Sequence, residues 1–117
     1  MVGYIPDIGD IVALNFDPQS GHEQKGRRPA LIVSNKVFNK YLGLAFACPI
    51  TNTKRDFPFH IKVDSKNLTG FIMVEQLKSI DFNSRAIKFI EKAKKETLYE
   101  VLSIVETILD DNKSLDD

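Results

Sequence analysis

The chain predicts a mainly β fold with a C-terminal α element: a small antiparallel barrel or curled sheet, completed by one helix. Three observations carry this reading. Short apolar runs recur at Ile11–Phe16, Ala30–Val33, Leu42–Pro49, Phe57–Val63 and Gly70–Leu77. Turn-rich pieces, DPQSG, SNKVFNK, TNTKRD and DSKNLTG, separate them. Five or more strands spaced so closely suit a small all-antiparallel sheet. Near the end the period changes, and Leu98, Val101, Leu102, Val105, Ile108 and Leu109 form one helical stripe.

Taken in order, IVALNF (Ile11–Phe16) is an apolar strand that runs into a polar loop. PALIVS (Pro29–Ser34) is the strand that leaves it, and Pro29, with fixed φ and no N–H, helps define where it begins. LGLAFACPI reads as a buried strand carrying Cys48, and HIKV alternates polar with apolar as a half-exposed strand does. His60 on that strand reads as structural. Thr97 and Glu100 are spaced as a capping box for the final helix, which alternatively starts a turn earlier. The helical stripe is expected to pack on its own barrel, with a dimer contact as the other use of part of it. Residues 1–111 are read as one domain and 112–117 as an acidic, frayed tail.

With 117 residues the chain is long enough for a single core. A hydrophobic share of 43% and a charged share of 27% are those of a soluble globular protein. No apolar run approaches the roughly 20 residues that span a bilayer. The start, MVGYIPDIGD, has no signal-peptide pattern, so a cytoplasmic protein without membrane association is expected. The lone Cys48 has no partner for an internal disulfide. It reads as a buried thiol in a reducing compartment, with a reactive nucleophile as the rival.

The net charge is zero, but its distribution is uneven. Between His22 and Lys62 eight Lys/Arg face only Glu23 and Asp56, a balance of +6, whereas Glu91 to Asp117 carries four Lys against eight Asp/Glu, a balance of −4. A basic central portion suits an anionic ligand such as nucleic acid or an acidic peptide. The plain alternative is a solvated surface.

The chemistry-bearing groups gather in the loop FDPQSGHEQKGRRP, where His22, Glu23, Gln24, Lys25, Arg27 and Arg28 lie between two strands. His22 and His60 lack metal-ligand spacing, and there is no CxxC, HExxH, P-loop or GxGxxG; no metal or cofactor is expected. Ser34 and Ser79 stand in no nucleophile elbow. Arg, Thr, Glu, Gln and His at strand ends suit RNA cleavage through the substrate's own 2′-hydroxyl, which needs no protein nucleophile. That reaction needs a base, an acid for the departing oxygen, and donors for the crowded phosphorane. Arg28, whose planar fork holds two phosphate oxygens, and Thr51, at the end of another apolar run, fit the last role. By themselves Arg28 also reads as a solvated cation and Thr51 as a residue capping a turn.

The segments DIGDIVALNFDPQSGHEQKGRRPALIVS, CPITNTKRDFPF and GFIMVEQLKSIDF resemble, in order and separation, three characteristic stretches of the MazF/PemK toxins, over about Tyr4 to Phe82. The arrangement GHEQxGxRP, here Gly21 to Pro29, is its most specific part. The resemblance implies an SH3-like (CcdB/PemK-type) barrel with a C-terminal helix, forming a homodimer. It implies a sequence-specific, metal-independent mRNA interferase of a type II toxin–antitoxin pair, which cuts single-stranded RNA to a 2′,3′-cyclic phosphate and a 5′-hydroxyl. Its antitoxin would carry an acidic, flexible C-terminal tail. Arg28 and Thr51 take the positions of the family's catalytic arginine and hydroxyl. Glu23 is the physical preference for the base that takes the 2′-OH proton, with His22 behind it, because a guanidinium is almost never neutral.

RNA contacts are expected from His22, Gln24, Lys54, Arg55, Phe57, Glu75 and Gln76. Lys54 and Arg55 suit phosphates and Gln76 a base edge. Phe57 is either a stacking surface or core packing. Glu75 stands where relatives commonly have Asp, and Met73 where some have an Arg assigned to catalysis, which argues against an acid at 73. The rivals are a non-catalytic RNA-binding protein of this fold and a gyrase-poison-like toxin. The latter is disfavoured by the absence of Trp.

Overall fold

In the computed structural model, which describes residues 3–15, 27–54 and 57–110, two β-strands leave and re-enter the polar loop as expected. Strand β1 is Asp10–Leu14 and β2 is Arg28–Ile32, paired antiparallel with Leu14 opposite Arg28. Helix α1 (Lys36–Leu42) follows, then β3 (Ala45–Thr51), β4 (His60–Asp64), β5 (Thr69–Met73), β6 (Lys78–Ile80), β7 (Lys88–Lys92) and helix α2 (Lys95–Leu109). The seven strands form one curled antiparallel half-barrel in the order β4-β5-β3-β2-β1-β7, with β6 also paired to β3. No helix among the described residues is long and apolar enough to cross a membrane.

Side-chain alternation sorts the core into two layers. Ile11, Leu31, Cys48, Ile50, Ile61, Val63 and Ile72 face α2, which contributes Val101 with Leu98, Ile104 and Val105. Val12, Leu14, Ala30, Ile32, Ala45, Ala47 and Ile80 face the other way, under Phe82, Tyr4, Ile5 and Ile87. Each fully buried Ile or Leu in these layers contributes roughly 1.5–3 kcal/mol through burial.

Several elements differ from the expectation. The turn-rich SNKVFNK contains α1, because Asn35 caps its start by accepting from the Phe38 N–H at 2.9 Å and Gly43, at φ 73°, ends it in the left-handed region. Asn39 of that helix is buried. Its amide donates to the carbonyls of Pro6 (2.7 Å) and Ser34 (3.0 Å), and its Oδ1 accepts from the Ser34 hydroxyl at 2.6 Å. The run Gly70–Leu77 is not one strand: β5 stops at Met73, and Val74–Gln76 forms a 3₁₀ turn that leads into β6.

β7 is a lysine-flanked strand at the edge of the sheet, so it shows no apolar run. Lys92 ties it down, donating to Asp10 Oδ1 at 2.7 Å, while the Tyr4 hydroxyl donates to the other Asp10 oxygen. α2 begins at Lys95, so Thr97 lies inside the first turn and the Thr97/Glu100 capping box is not the start of the helix. Ile104 belongs to the packed face of α2, whereas Ile108 and Leu109 are exposed. The tail at 112–117 lies outside the described residues.

Candidate active site

Antiparallel register decides which side chains share a face, since residues directly opposite point the same way. Between β2 and β3 the pairs are Ala30 with Pro49, Leu31 with Cys48 and Ile32 with Ala47. Beyond that ladder Arg28 begins β2 and Thr51 ends β3, so antiparallel pairing sets the two residues at the same end of the strand pair. Thr51 is paired on its other side with Phe71, and Phe71 with Lys62. One row across three strands therefore reads Thr51, Phe71, Lys62, with Arg28 at the neighbouring end of β2. Two residues deeper the row ends in Met73 paired with His60.

All these side chains lie on the face opposite α2, because they alternate with Leu31, Ile50, Ile72 and Ile61 of the α2-side core. The half of this face that carries Ala30, Ile32, Ala45 and Ala47 is buried. Past Thr51 it opens: Arg28 and Lys62 are exposed, and Thr51, Phe71 and Met73 are half-buried.

The local chemistry explains how each group is held. Arg28 is fixed at its backbone by the pairing with Leu14 and by Pro29 next to it. Thr51 Oγ1 accepts from the Thr53 N–H at 3.2 Å, so it does cap a turn, and its own O–H proton stays available to a phosphate oxygen. Behind Thr51, β5 comes unusually close. A Cβ added at Gly70 would stand 2.8 Å from the Thr51 carbonyl oxygen and 2.9 Å from Ile50 Cγ2, so only glycine lets the strands meet there. Lys54 is exposed just beyond.

A second cluster borders the first. Phe57 is half exposed and packs against the His60 ring at 5.1 Å between centroids, so it is at once a loop anchor and an open aromatic face. His60 Nε2 lies 3.0 Å from Glu75 Oε2, and the 3₁₀ turn bearing Glu75 and Gln76 is held to the start of β4 by the Val74 N–H donating to the Phe59 carbonyl at 3.2 Å. The carboxylate's charge reaches Cys48: burial, and then Glu75, push that thiol up to about 12. Cys48 is a buried thiol held toward its protonated form, which favours the structural reading over the nucleophilic one. Among the described residues no three His, Cys, Asp or Glu side chains gather as metal ligands. His22, Glu23 and Gln24, and also Arg55, lie outside the described residues.

Residues 7–109 match the family model described as PemK-like, MazF-like toxin of type II toxin–antitoxin system. The chain belongs to that family. It is 34% identical over 82 residues to the endoribonuclease toxin MazF of Escherichia coli K12, covering 70% of this chain and 74% of the relative. The structure of MazF from Deinococcus radiodurans superposes with a TM-score of 0.81 at 37% identity, covering 92% of this chain and 98% of that one. A MazE–MazF structure from the same organism gives 0.81 at 31% identity, covering 92% and 97%.

Within this PemK/MazF-like chain, Met73 and Glu75 both border His60. Met73 is half-buried opposite His60, and Glu75 is hydrogen-bonded to His60. His60 was the residue that sequence reasoning set aside. The alternation of HIKV, which puts His60 on the same face as Lys62, was the signal that placed it beside the site.

Proposed function

We propose that the chain is a sequence-specific endoribonuclease toxin, cutting single-stranded mRNA without a metal, active as a homodimer and held inactive by a cognate antitoxin. The observation that carries this reading is that Arg28 begins β2 and Thr51 ends β3, at the same open end of two antiparallel neighbours. In the proposed reaction the substrate's 2′-oxygen attacks the adjacent phosphorus while the bond to the 5′-oxygen breaks. The products are a 2′,3′-cyclic phosphate and a 5′-hydroxyl.

Arg28 stabilises the extra negative charge on the phosphorane and passes a proton toward the departing oxygen. The Thr51 hydroxyl donates to a non-bridging oxygen, and Glu23, with His22 behind it, takes the 2′-OH proton. Lys54 and Arg55 hold flanking phosphates, Phe57 offers a stacking face, and Gln24, Glu75 and Gln76 read base edges. The antitoxin's acidic, flexible C-terminal tail would lie on the same basic face and exclude RNA. Exposed Val37 and Tyr41 of α1, beside the Phe38–Phe46 ring pair, form an apolar patch suited to a second copy of the chain.

Further support comes from the relative named an endoribonuclease toxin and from the solved MazE–MazF pair. The test is incubation of purified protein with a long single-stranded RNA in chelator at physiological salt, followed by sequencing of the 5′ ends. Uncut RNA ends the nuclease reading. An Arg28→Ala variant that folds normally and cuts as fast as the parent ends the assigned mechanism even if cleavage is real.

A further inference from the structure

We propose that His60 is a positioning residue that fixes the Glu75 carboxylate as a reader of one unpaired base carrying an exocyclic amino group. The inference rests on the RNA-binding part of the proposed function and deepens it. The imidazole is almost wholly enclosed, at 2% side-chain exposure, yet its Nδ1 has no hydrogen-bond partner among the described residues. A histidine kept only to fill space would be replaced to advantage by an apolar ring, because an unpaired buried nitrogen is costly. Among the described residues the one polar contact of this ring is Nε2 to Glu75 Oε2 at 3.0 Å, and Phe57 wedges the ring in place at 5.1 Å.

The effect of the contact falls on Glu75. Its side chain is 26% exposed, on a 3₁₀ turn at the open face, and with Oε2 held by the imidazole N–H its second oxygen, Oε1, is left to accept from a ligand. A free glutamate must order three torsions to bind anything, and the imidazole has ordered them beforehand. The base it accepts is set by charge. Cytosine, adenine and guanine each offer an amino group on the pairing edge. Uracil offers one N–H flanked by two carbonyl oxygens that repel a carboxylate. Met73, beside His60 on β5, supplies an apolar neighbour rather than a competing cation.

The test compares the parent with His60→Leu, His60→Gln and Glu75→Gln. Two readouts are used: 5′-end sequencing after cleavage of a randomised RNA pool, and binding of oligonucleotides carrying a 2′-deoxy sugar at the cut site, which cannot be cleaved. His60→Leu and Glu75→Gln are expected to lose the preference for an amino-bearing base over uracil at the same single position, by roughly five- to a hundredfold. His60→Gln, whose amide N–H can replace Nε2–H, keeps most of it.

The proposal is overturned if His60→Leu retains the parent's preference, if the two losses fall at different positions, or if His60→Gln loses as much as His60→Leu. If the parent leaves RNA uncut but binds the 2′-deoxy oligonucleotides with a preference that Glu75→Gln erases, the nuclease reading fails and this one stands. If the parent cuts and Glu75→Gln leaves every preference unchanged, this one alone fails.

Discussion

Replacing Gly70 with alanine tests how tightly the sheet positions the site. The added methyl would lie 2.8 Å from the Thr51 carbonyl oxygen and 2.9 Å from Ile50 Cγ2, closer than real Cβ contacts come. Neither obstacle is the end of a flexible side chain, so β5 and β3 must part by about half an ångström to reach ordinary contact. Overpacking of this kind costs about 1–3 kcal/mol, offset by the roughly 0.4–1 kcal/mol that alanine contributes by restricting the unfolded chain. A net destabilisation of about 1–2 kcal/mol lowers the melting temperature by roughly 3–10 °C for a domain of this size.

The effect on cleavage should exceed the effect on folding. Thr51 moves with its carbonyl while Arg28, on β2, does not. A misplacement near 1 Å costs up to a hundredfold, so about half that displacement costs roughly tenfold. Thermal unfolding by circular dichroism, and cleavage of a fluorogenic RNA well below the transition, measure the two effects separately. A variant with the parent's melting temperature refutes the claim of tight approach. One that melts early yet cuts at the parent's rate refutes the link between this contact and the site.

Other outcomes follow from the same structure. Arg28→Lys keeps the charge but not the planar fork, and cleavage should fall about 10–100-fold with unfolding unchanged; an equal rate would show that a point charge suffices. Lys54→Ala should weaken RNA binding and lower the slope of log K against log salt by about 0.7, without altering the cut sequence. Asn39→Leu leaves the Pro6 and Ser34 carbonyls without their shared donor and should cost about 2–4 kcal/mol in urea unfolding.

Alkali should destabilise the fold. Cys48 is pushed up to about 12 by burial and then by Glu75, and Tyr4 is pushed up by burial and then by Asp10. Each folded group holds its proton longer than the unfolded one. The stability from Cys48 is fully present below pH 9 and is lost as pH rises through 12, and that from Tyr4 is lost at higher pH still. Urea midpoints at pH 8, 10 and 11 should fall in that order. Rapid iodoacetamide labelling of native protein at pH 8 would contradict the buried, protonated thiol.

The sequence alone determined the strand runs, the boundary of the polar loop at Pro29, and the final helix, because each rests on local periodicity and fixed backbone geometry. Arg28 and Thr51 were legible as strand-end groups, since residue type and motif spacing are local facts too. Helix α1 was obscured by its asparagines, which read as turn residues until Asn39 is seen buried against Pro6 and Ser34. β7 was obscured by its lysines, which an edge strand tolerates. Tertiary structure alone decided what lies beside what. Register across β3, β5 and β4 brings Thr51, Phe71 and Lys62 into one row, and the pairing of β2 with β3 sets Arg28 at the same end, a choice made by pairing residues far apart in the chain. It also turned His60 from an alternating strand residue into the partner of Glu75, because hydrogen bonds form between neighbours in space, and the neighbours were set by the curl of the sheet.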